Sequence, residues 1–389
     1  MPDYPYMLFR KHWSFSPEVL FELGQCDAII SAISETPIRP DSYKQLLRVA
    51  LVKGAQATTA IEGNTLSESE IERVANGNAL PPSKEYQEIE VRNILEAMNT
   101  LLREVIADGK TQLIDSRLLL RFHSMIGKDL GEHFDAVPGR FREDQRVVGK
   151  YRCPDFHDVP GLVDKLCTWL QTEFGYDRGD QSFGDAVTQA IASHVYIEWI
   201  HPFGDGNGRT GRLVEFYMLL RAGVPNVASH VLSSFYNLSR PEYYRQLELA
   251  GQSHDLSGFI AYAVKGFRDG LQETLETIQD SQFVTAWRSY IYDKFAEAQY
   301  RKNVFKRRRQ LVLSLPFDTP LSTEDATMVT PEVAREYADL SPRTVMRDMQ
   351  ILEEMELVRR VGKKYVANTN ALRMQMPRRR EGSTTKSCV

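Results

Sequence analysis

Residues 201–212, from His201 through Pro202, Phe203, Gly204, Asp205, Gly206, Asn207, Gly208, Arg209, Thr210 and Gly211 to Arg212, leave this chain few ways to fold. An apolar-periodic segment, Ala186 to Ile200, leads in, and a second, Leu213 to Leu220, leads out and is closed by Gly223. Two helices must therefore meet across a tight loop, with the polar residues gathered at the N-terminus of the second helix. Gly206 and Gly208 let the backbone approach a ligand and aim N–H groups at it. The helix N-terminus adds unpaired donors and the positive end of a dipole. Arg209 and Arg212 lie one turn apart and can fork onto phosphate oxygens. Asp205 suits a divalent cation bridging phosphates, Mg²⁺ by preference. His201 has an ordinary pKa near neutrality and can take the proton of an attacking hydroxyl. The residues themselves imply nucleotide-dependent group transfer to a hydroxyl.

At 389 residues the chain has room for two or three domains. No apolar run reaches the roughly 18 to 20 residues of a membrane helix, so no membrane role is expected. Cys26, Cys153, Cys167 and Cys388 are scattered without a Cys-x-x-Cys pair, which fits free thiols in a reducing, cytoplasmic setting. Charge is unevenly placed. Residues 1–300 carry 30 Lys and Arg against 41 Asp and Glu, whereas residues 301–389 carry 18 against 11. A basic C-terminal part on an acidic body points to a separate partner for that end.

Along the chain, periodicity predicts helices over 16–34, from an Asp41 N-cap to Gly63-Asn64, and from a Ser67/Glu70 capping box to about Ala75. Further helices are expected from Lys84 to Ala107, with Ile89 on the buried side, and from Ser116 to Gly127 behind an Asp115 cap. Residues 137–160, with Gly139-Arg140-Phe141-Arg142 and Val147-Val148-Gly149, predict a short hairpin. Helices then resume at 160–173, 183–199 and 237–252, and again from Leu256 to about Gln310. His194 is expected to be a core histidine, since no further ligand stands at metal spacing.

The motif at 201–212 fits, at every fixed position, the signature His-x-Phe-x-(Asp/Glu)-Gly-Asn-Gly-Arg-x-x-Arg, and on it the chain resembles the Fic family over roughly residues 1–300. The resemblance implies a mainly α fold: a Fic-type helical bundle with a short β-hairpin flap. It implies transfer of AMP from ATP, with Mg²⁺, to a Tyr, Thr or Ser hydroxyl of a protein target. His201 would deprotonate the hydroxyl, and Asp205 would hold the metal. Gly206, Asn207, Gly208 and Arg209 would bind the α- and β-phosphates, and Arg212 the γ-phosphate. Thr58, Glu62 and Gly63 resemble the family's inhibitory pattern (Ser/Thr)-x-x-x-Glu-(Gly/Asn), in which the glutamate pairs with the last arginine of the signature. Val147, Val148 and Gly149 would belong to the flap that clamps a target strand. Tyr243 and Tyr244 resemble the family's tyrosines near the nucleotide base. Two other directions stay open: Glu62 activating water to remove AMP, and a DNA-binding regulator whose core senses nucleotide.

The C-terminal stretch has the order of a winged helix-turn-helix domain. Ser322 and Thr330-Pro331 open short helices, Ser341 caps a recognition helix, and residues 357–366 form two β-rich runs about Gly362-Lys363-Lys364. Arg343, Arg347, Lys363 and Lys364 would meet DNA phosphates. A protein partner or a homodimer is the alternative, and Asp348, Glu353 and Glu354 dilute the basic face. The expected division is a helical region at 1–110 with the inhibitory helix at about 42–63, then a catalytic core at 111–235. A helical extension follows at 236–300, the winged helix at 301–370 and a disordered basic tail at 371–389.

Overall fold

The computed structural model describes residues 4–149, 151–175, 183–297 and 302–374. These fall into two compact units, one up to Ile278 and one from Gln279. The first unit opens with α1 (Pro17–Glu35), α2 (Pro40–Ile61), α3 (Glu68–Ala75) and α4 (Glu85–Leu102). The Ser16 and Ser67 side chains cap α1 and α3, and the Ser67–Glu70 capping box is complete. The Asp41 cap of α2 is a correction: the helix starts at Pro40 behind Arg39, which makes no side-chain cap bond, because proline at the first turn needs no donor satisfied. Helix α4 runs on into a π turn at Arg103–Ala107. Its buried face includes the expected Ile94, Leu95, Met98, Leu101, Leu102 and Val105, and departs from expectation at one residue. Ile89 is only half-buried, while Glu88 and Glu90 are buried on either side of it.

Next come α5 (Ser116–Ile126), capped by Asp115, and α6 (Val159–Glu173). Between them lies the hairpin, β1 (Val147–Val148) paired antiparallel with β2 (Tyr151–Arg152). Gly139 to Arg142 lies outside both strands, because Arg142 is engaged elsewhere. The central pair is α7 (Phe183–Ile200) and α8 (Asn207–Arg221). Both are buried almost all round, as expected of helices at the heart of a bundle. Helices α1 and α6 pack on α7, α5 packs on α8, and α4 joins α2 to α5. Truncating a core residue such as Leu213, which is 2% exposed, to alanine costs about 2–5 kcal/mol. The predicted helix at 237–252 is α10 (Arg240–Ser253), with Pro241 in its first turn, and a further helix, α9 (Val231–Leu238), precedes it. Gly54 on α2 allows α9 to approach, since a Cβ there would sit 2.8 Å from His230 Cβ.

Helix α11 (Ser257–Glu297) ends in the second unit, which continues with α12 (Lys302–Ser314), α13 (Thr323–Thr327), α14 (Pro331–Tyr337) and α15 (Pro342–Glu354). A hairpin of β3 (Val358–Val361) and β4 (Lys364–Ala367) follows, and then α16 (Asn370–Arg373). Ser322 and Thr330 cap α13 and α14 through their side chains, whereas Ser341 precedes α15 without a side-chain cap bond. Trp287, Ile291 and Phe295 of α11 belong to this unit's core with Leu311, Met349 and Leu352. Asp348 is a second correction. It does not dilute a basic surface, because it is 0% exposed and accepts bonds from Arg307, Arg308 and Tyr337. Arg343, Arg347, Lys363 and Lys364 are exposed. The expected basic tail beyond residue 374 lies outside the described residues.

Candidate active site

The loop between α7 and α8 is built by its own side chains. His201 takes up a left-handed backbone (φ 50°), and its N–H still donates to Ile197 at 2.9 Å, so α7 ends sharply there. Asn207 closes the loop in both directions: its carboxamide accepts from Phe203 N–H and donates to Phe203 C=O, each at 2.9 Å. The Asn207 side chain therefore shapes the loop. Gly206 precedes α8 at φ 79° with no side-chain cap bond. The first-turn N–H groups of α8 thus have no partner within the helix.

His123 on α5 supports this loop from below. Its ring stacks on Phe203 with centroids 3.8 Å apart. Gly139 N–H donates to Nδ1 at 3.0 Å, which leaves Nε2 to donate to the Asp205 carbonyl at 3.0 Å. Burial pushes the His123 pKa down to about 4, consistent with a neutral ring that both accepts and donates. Arg142 holds the other side. It is 5% exposed and donates to the carbonyls of His201, Asp144 and Pro154 at 2.7, 2.6 and 2.5 Å. The guanidinium thereby ties the loop to the hairpin's base. Tyr151 on β2 donates to Trp199 C=O at 2.5 Å, which pins the hairpin to the end of α7. Val147 and Val148 are 61% and 48% exposed, and Gly149 makes the turn at φ 58°.

Burial also lowers the His201 pKa to about 4, so its imidazole is neutral at pH 7 and can receive a proton. The arginines are clamped by carboxylates. Arg212 is 2% exposed and donates from Nε to the Thr58 hydroxyl at 2.8 Å, and from Nη2 to Glu62 at 2.5 Å and to the Thr58 carbonyl at 3.0 Å. Thr58 thus serves Arg212. The end of α2 is closed instead by Thr59, whose carbonyl accepts from the N–H groups of Glu62 and Asn64, with Gly63 at φ 100°. Burial pushes the Glu62 carboxyl up, but the charge and hydrogen bond of Arg212 outweigh it and hold the carboxyl below its ordinary range. A Cβ on Gly208 would sit 2.3 Å from Glu62 Oε1, 2.9 Å from Arg212 Nη1 and 3.1 Å from Glu198 Oε1. The absence of a side chain at 208 is what lets these groups converge.

Arg209, 3% exposed, donates to Asp205 Oδ1 at 2.8 Å and to the buried Glu90 of α4. Arg209 Nε and Arg212 Nη1 are buried without a hydrogen-bond partner. Two orphaned cationic donors beside an uncapped helix N-terminus are chemically able to take up an anion with several oxygens. Asp205 is one-third exposed at this N-terminus. Among the described residues no group of three or more His, Cys, Asp or Glu is placed to hold a metal unaided. One carboxylate with phosphate oxygens beside it is, however, the donor set Mg²⁺ takes together with a nucleotide.

Not every expected residue meets the site. Tyr243 is a correction: it is 1% exposed, shares a 2.9 Å bond with His194 Nε2 and stacks on Tyr236, so it is core. Tyr244 is 46% exposed and donates to the Ile61 carbonyl at the end of α2. His194 is fully buried, as expected. Glu90, His123, Arg142 and Glu198 were not singled out from the sequence. Burial raises the pKa of Glu90 and of Glu198, and Arg209 offsets part of the shift for Glu90.

Residues 113–219 match the Fic/DOC family. The chain is 28% identical over 249 residues to "Protein adenylyltransferase fic-1" of Caenorhabditis elegans, covering 62% of this chain and 44% of that protein. It is 28% identical over 223 residues to "Protein adenylyltransferase Fic" of Nematostella vectensis, covering 57% and 48%. It therefore spans under half the length of these relatives. A crystal structure of a Fic family protein from Desulfovibrio desulfuricans G20 superposes with a TM-score of 0.56 at 21% identity, over 91% of this chain and 97% of that one. A likeness at that identity bears on the fold alone. No described helix is long and apolar enough to cross a membrane.

Proposed function

We propose that this chain, a Fic/DOC-family protein through residues 113–219 and distantly related to Fic protein adenylyltransferases, transfers AMP from ATP to a hydroxyl of a protein target and is held at rest by Glu62. The observation that carries the reading is the Arg212 guanidinium, buried and bound by Glu62 and Thr58, with Nη1 left unpartnered beside the N-terminus of α8. A triphosphate suits that arrangement, since its terminal oxygens compete with Glu62 for the same cation. Its inner oxygens suit the N–H groups that follow Gly206, together with Arg209. Asp205 would hold Mg²⁺, which when bound neutralises part of the polyphosphate charge. His201 takes the proton of the attacking hydroxyl. The oxygen bonds to the α-phosphorus, the bond to the bridging oxygen breaks and pyrophosphate leaves. In this reading the protein contributes position and charge. The exposed Val147 and Val148 on a two-residue strand favour pairing with an extended segment of the target. The test is label transfer to proteins of a cell lysate by Glu62→Gly, using ATP labelled at the α- or the γ-phosphate. AMP transfer requires protein-bound label from the α position alone. Label from the γ position would mean phosphoryl transfer instead.

For residues 279–374 we propose a winged helix that binds DNA. Four exposed cations, Arg343 and Arg347 on α15 and Lys363 and Lys364 at the β3–β4 turn, support it. Binding of the full chain to random duplex DNA should weaken as salt rises, with a log–log slope of about −0.9 per phosphate neutralised. No binding at low salt would favour a protein partner.

A further inference from the structure

We propose that Glu90 is a positioning residue for the metal side of the site: it holds Arg209 so that the Asp205 carboxylate stays available to a divalent cation. This rests on the reading of the site as one for Mg²⁺ and ATP. Glu90 and Arg209 are 6% and 3% exposed and face each other from α4 and α8, with Glu90 Oε1 accepting from Arg209 Nη1. Arg209 Nη2 donates to Asp205 Oδ1 at 2.8 Å, and Gly206 N–H donates to the same oxygen at 2.5 Å. Asp205 Oδ2 takes no hydrogen bond among the described residues.

A guanidinium lying i, i+4 from a carboxylate on the same helix end tends towards the bidentate fork, with both nitrogens on both oxygens. Here one nitrogen is held by Glu90, so only a single-point contact with Asp205 remains. The oxygen left without a hydrogen bond belongs to a carboxylate that is one-third exposed. Neutralising Glu90 would release Nη1 to Asp205. That would cover Oδ2 and place a full positive charge where the cation must bind.

Glu90 also reaches the resting clamp. Its Oε2 accepts from Asn64 Nδ2 at 3.0 Å, and the same Nδ2 donates to the Gln87 carbonyl at 3.0 Å. Asn64 Oδ1 accepts from Leu66 N–H at 3.0 Å. The turn two residues beyond Glu62 is thus fastened to the carboxylate that holds Arg209. One buried glutamate touches the phosphate-side arginine and the segment that carries the Arg212 clamp.

The test is calorimetric titration of ATP, at a series of Mg²⁺ concentrations, into the full chain carrying Glu62→Gly alone, with Glu90→Gln, or with Glu90→Asp. Loss of a partner that orients a metal ligand costs about 10- to 100-fold in metal affinity. The Mg²⁺ concentration giving half of maximal ATP binding should therefore rise at least tenfold with Glu90→Gln, and less with Glu90→Asp, which keeps the charge. ATP binding without Mg²⁺ should change far less. A merely structural role would lower the melting temperature and weaken ATP binding equally with and without Mg²⁺. An unchanged Mg²⁺ midpoint in folded Glu90→Gln, or in Glu90→Asp and Glu90→Ala if the glutamine variant does not fold, overturns the inference alone. No Mg²⁺-dependent ATP binding by Glu62→Gly overturns it together with the proposed function.

Discussion

Glu62 in the first unit and Asp348 in the second each meet buried arginine, and the two contacts are built to different ends. Asp348 is 0% exposed, and both of its oxygens are engaged: Oδ1 by Arg308 Nε at 2.7 Å, Oδ2 by Arg307 Nη2 at 2.6 Å and by the Tyr337 hydroxyl at 3.2 Å. Glu62 has a side chain one-third exposed and sits just past the end of its helix, at the C-cap, while the Arg212 it binds keeps one donor unpartnered. The first arrangement is a finished structural node. The second is a contact with capacity to spare, which a ligand can join or replace. Burial of charge is costly in either place, so the unfinished one asks for a functional explanation.

The largest expected effect tests the unfinished side. His201→Ala should lower transfer about 10²- to 10⁴-fold while leaving Mg²⁺-dependent ATP binding nearly intact, because the ring acts on the acceptor's proton and not on the nucleotide. Transfer rates and calorimetric ATP affinity, measured on the same preparation, check this. Near-normal turnover would remove His201 from the mechanism.

Asp348→Ala should give the largest loss of stability, about 3–5 kcal/mol, since it removes the buried carboxylate on which Arg307, Arg308 and Tyr337 converge. Denaturant melts of the full chain, wild type against variant, followed by circular dichroism, would report it. A loss below about 1 kcal/mol would mean that the node is better solvated than its burial indicates, and the contrast with Glu62 would weaken.

Acid should separate the two units, because every histidine of the chain precedes residue 279. Burial lowers His123 and His230 from 6.5 to about 4. Both rings are folded neutral, so their contribution to stability is complete above pH 6.5 and is lost as pH falls towards 4. At pH 5 each has lost about 2 kcal/mol, taking 1.36 kcal/mol per pKa unit. Calorimetry between pH 7 and 5 should show the first unit's transition moving down. Replacing His230 by Gln should reduce that movement. An acid shift indifferent to the substitution would trace the effect to other groups.

How far the sequence revealed this arrangement follows from where the interacting groups lie along the chain. The loop at 201–212 was legible because its chemistry is contiguous: glycine, carboxylate and arginine at fixed spacing on a helix N-terminus. Glu62 was legible only through the resemblance of Thr58, Glu62 and Gly63 to the family's inhibitory pattern. Glu90 was not, because a glutamate between Ile89 and Val91 looks like a solvated position until α4 is laid against α8. Arg142 looked like part of a strand, and only the fold brings the carbonyls of His201 and Pro154 to its guanidinium. Asp348 misled in the other direction. Its charge was read as surface, since nothing local announces that Arg307 and Arg308 lie across the core. Tyr243 was carried over with its neighbour, but on a helix adjacent residues face about 100° apart, and one of them had to be core.

The smallest of these effects bears most directly on the contrast between the two carboxylates. Glu62→Gly should raise AMP transfer by about tenfold or more, with little loss of stability, whereas no substitution of Asp348 should give a gain. A charge-assisted hydrogen bond of the Glu62–Arg212 kind is worth about 1.5–3 kcal/mol, and each 1.4 kcal/mol is roughly tenfold in occupancy. Removing the carboxylate frees Arg212 for the terminal phosphate and empties the space against Gly208, where Glu62 Oε1 now stands 2.3 Å from the position a Cβ would take. Arg212→Ala should not reproduce the gain, because it removes the phosphate's ligand along with the glutamate's partner. The double variant should behave like Arg212→Ala, since without the guanidinium there is nothing left to release. Transfer from labelled ATP by all four proteins, at matched ATP and Mg²⁺, decides it. Equal rates for wild type and Glu62→Gly would mean that the contact is as finished as the one at Asp348. A gain in Arg212→Ala would mean that the arginine itself, and not its pairing with Glu62, obstructs the nucleotide.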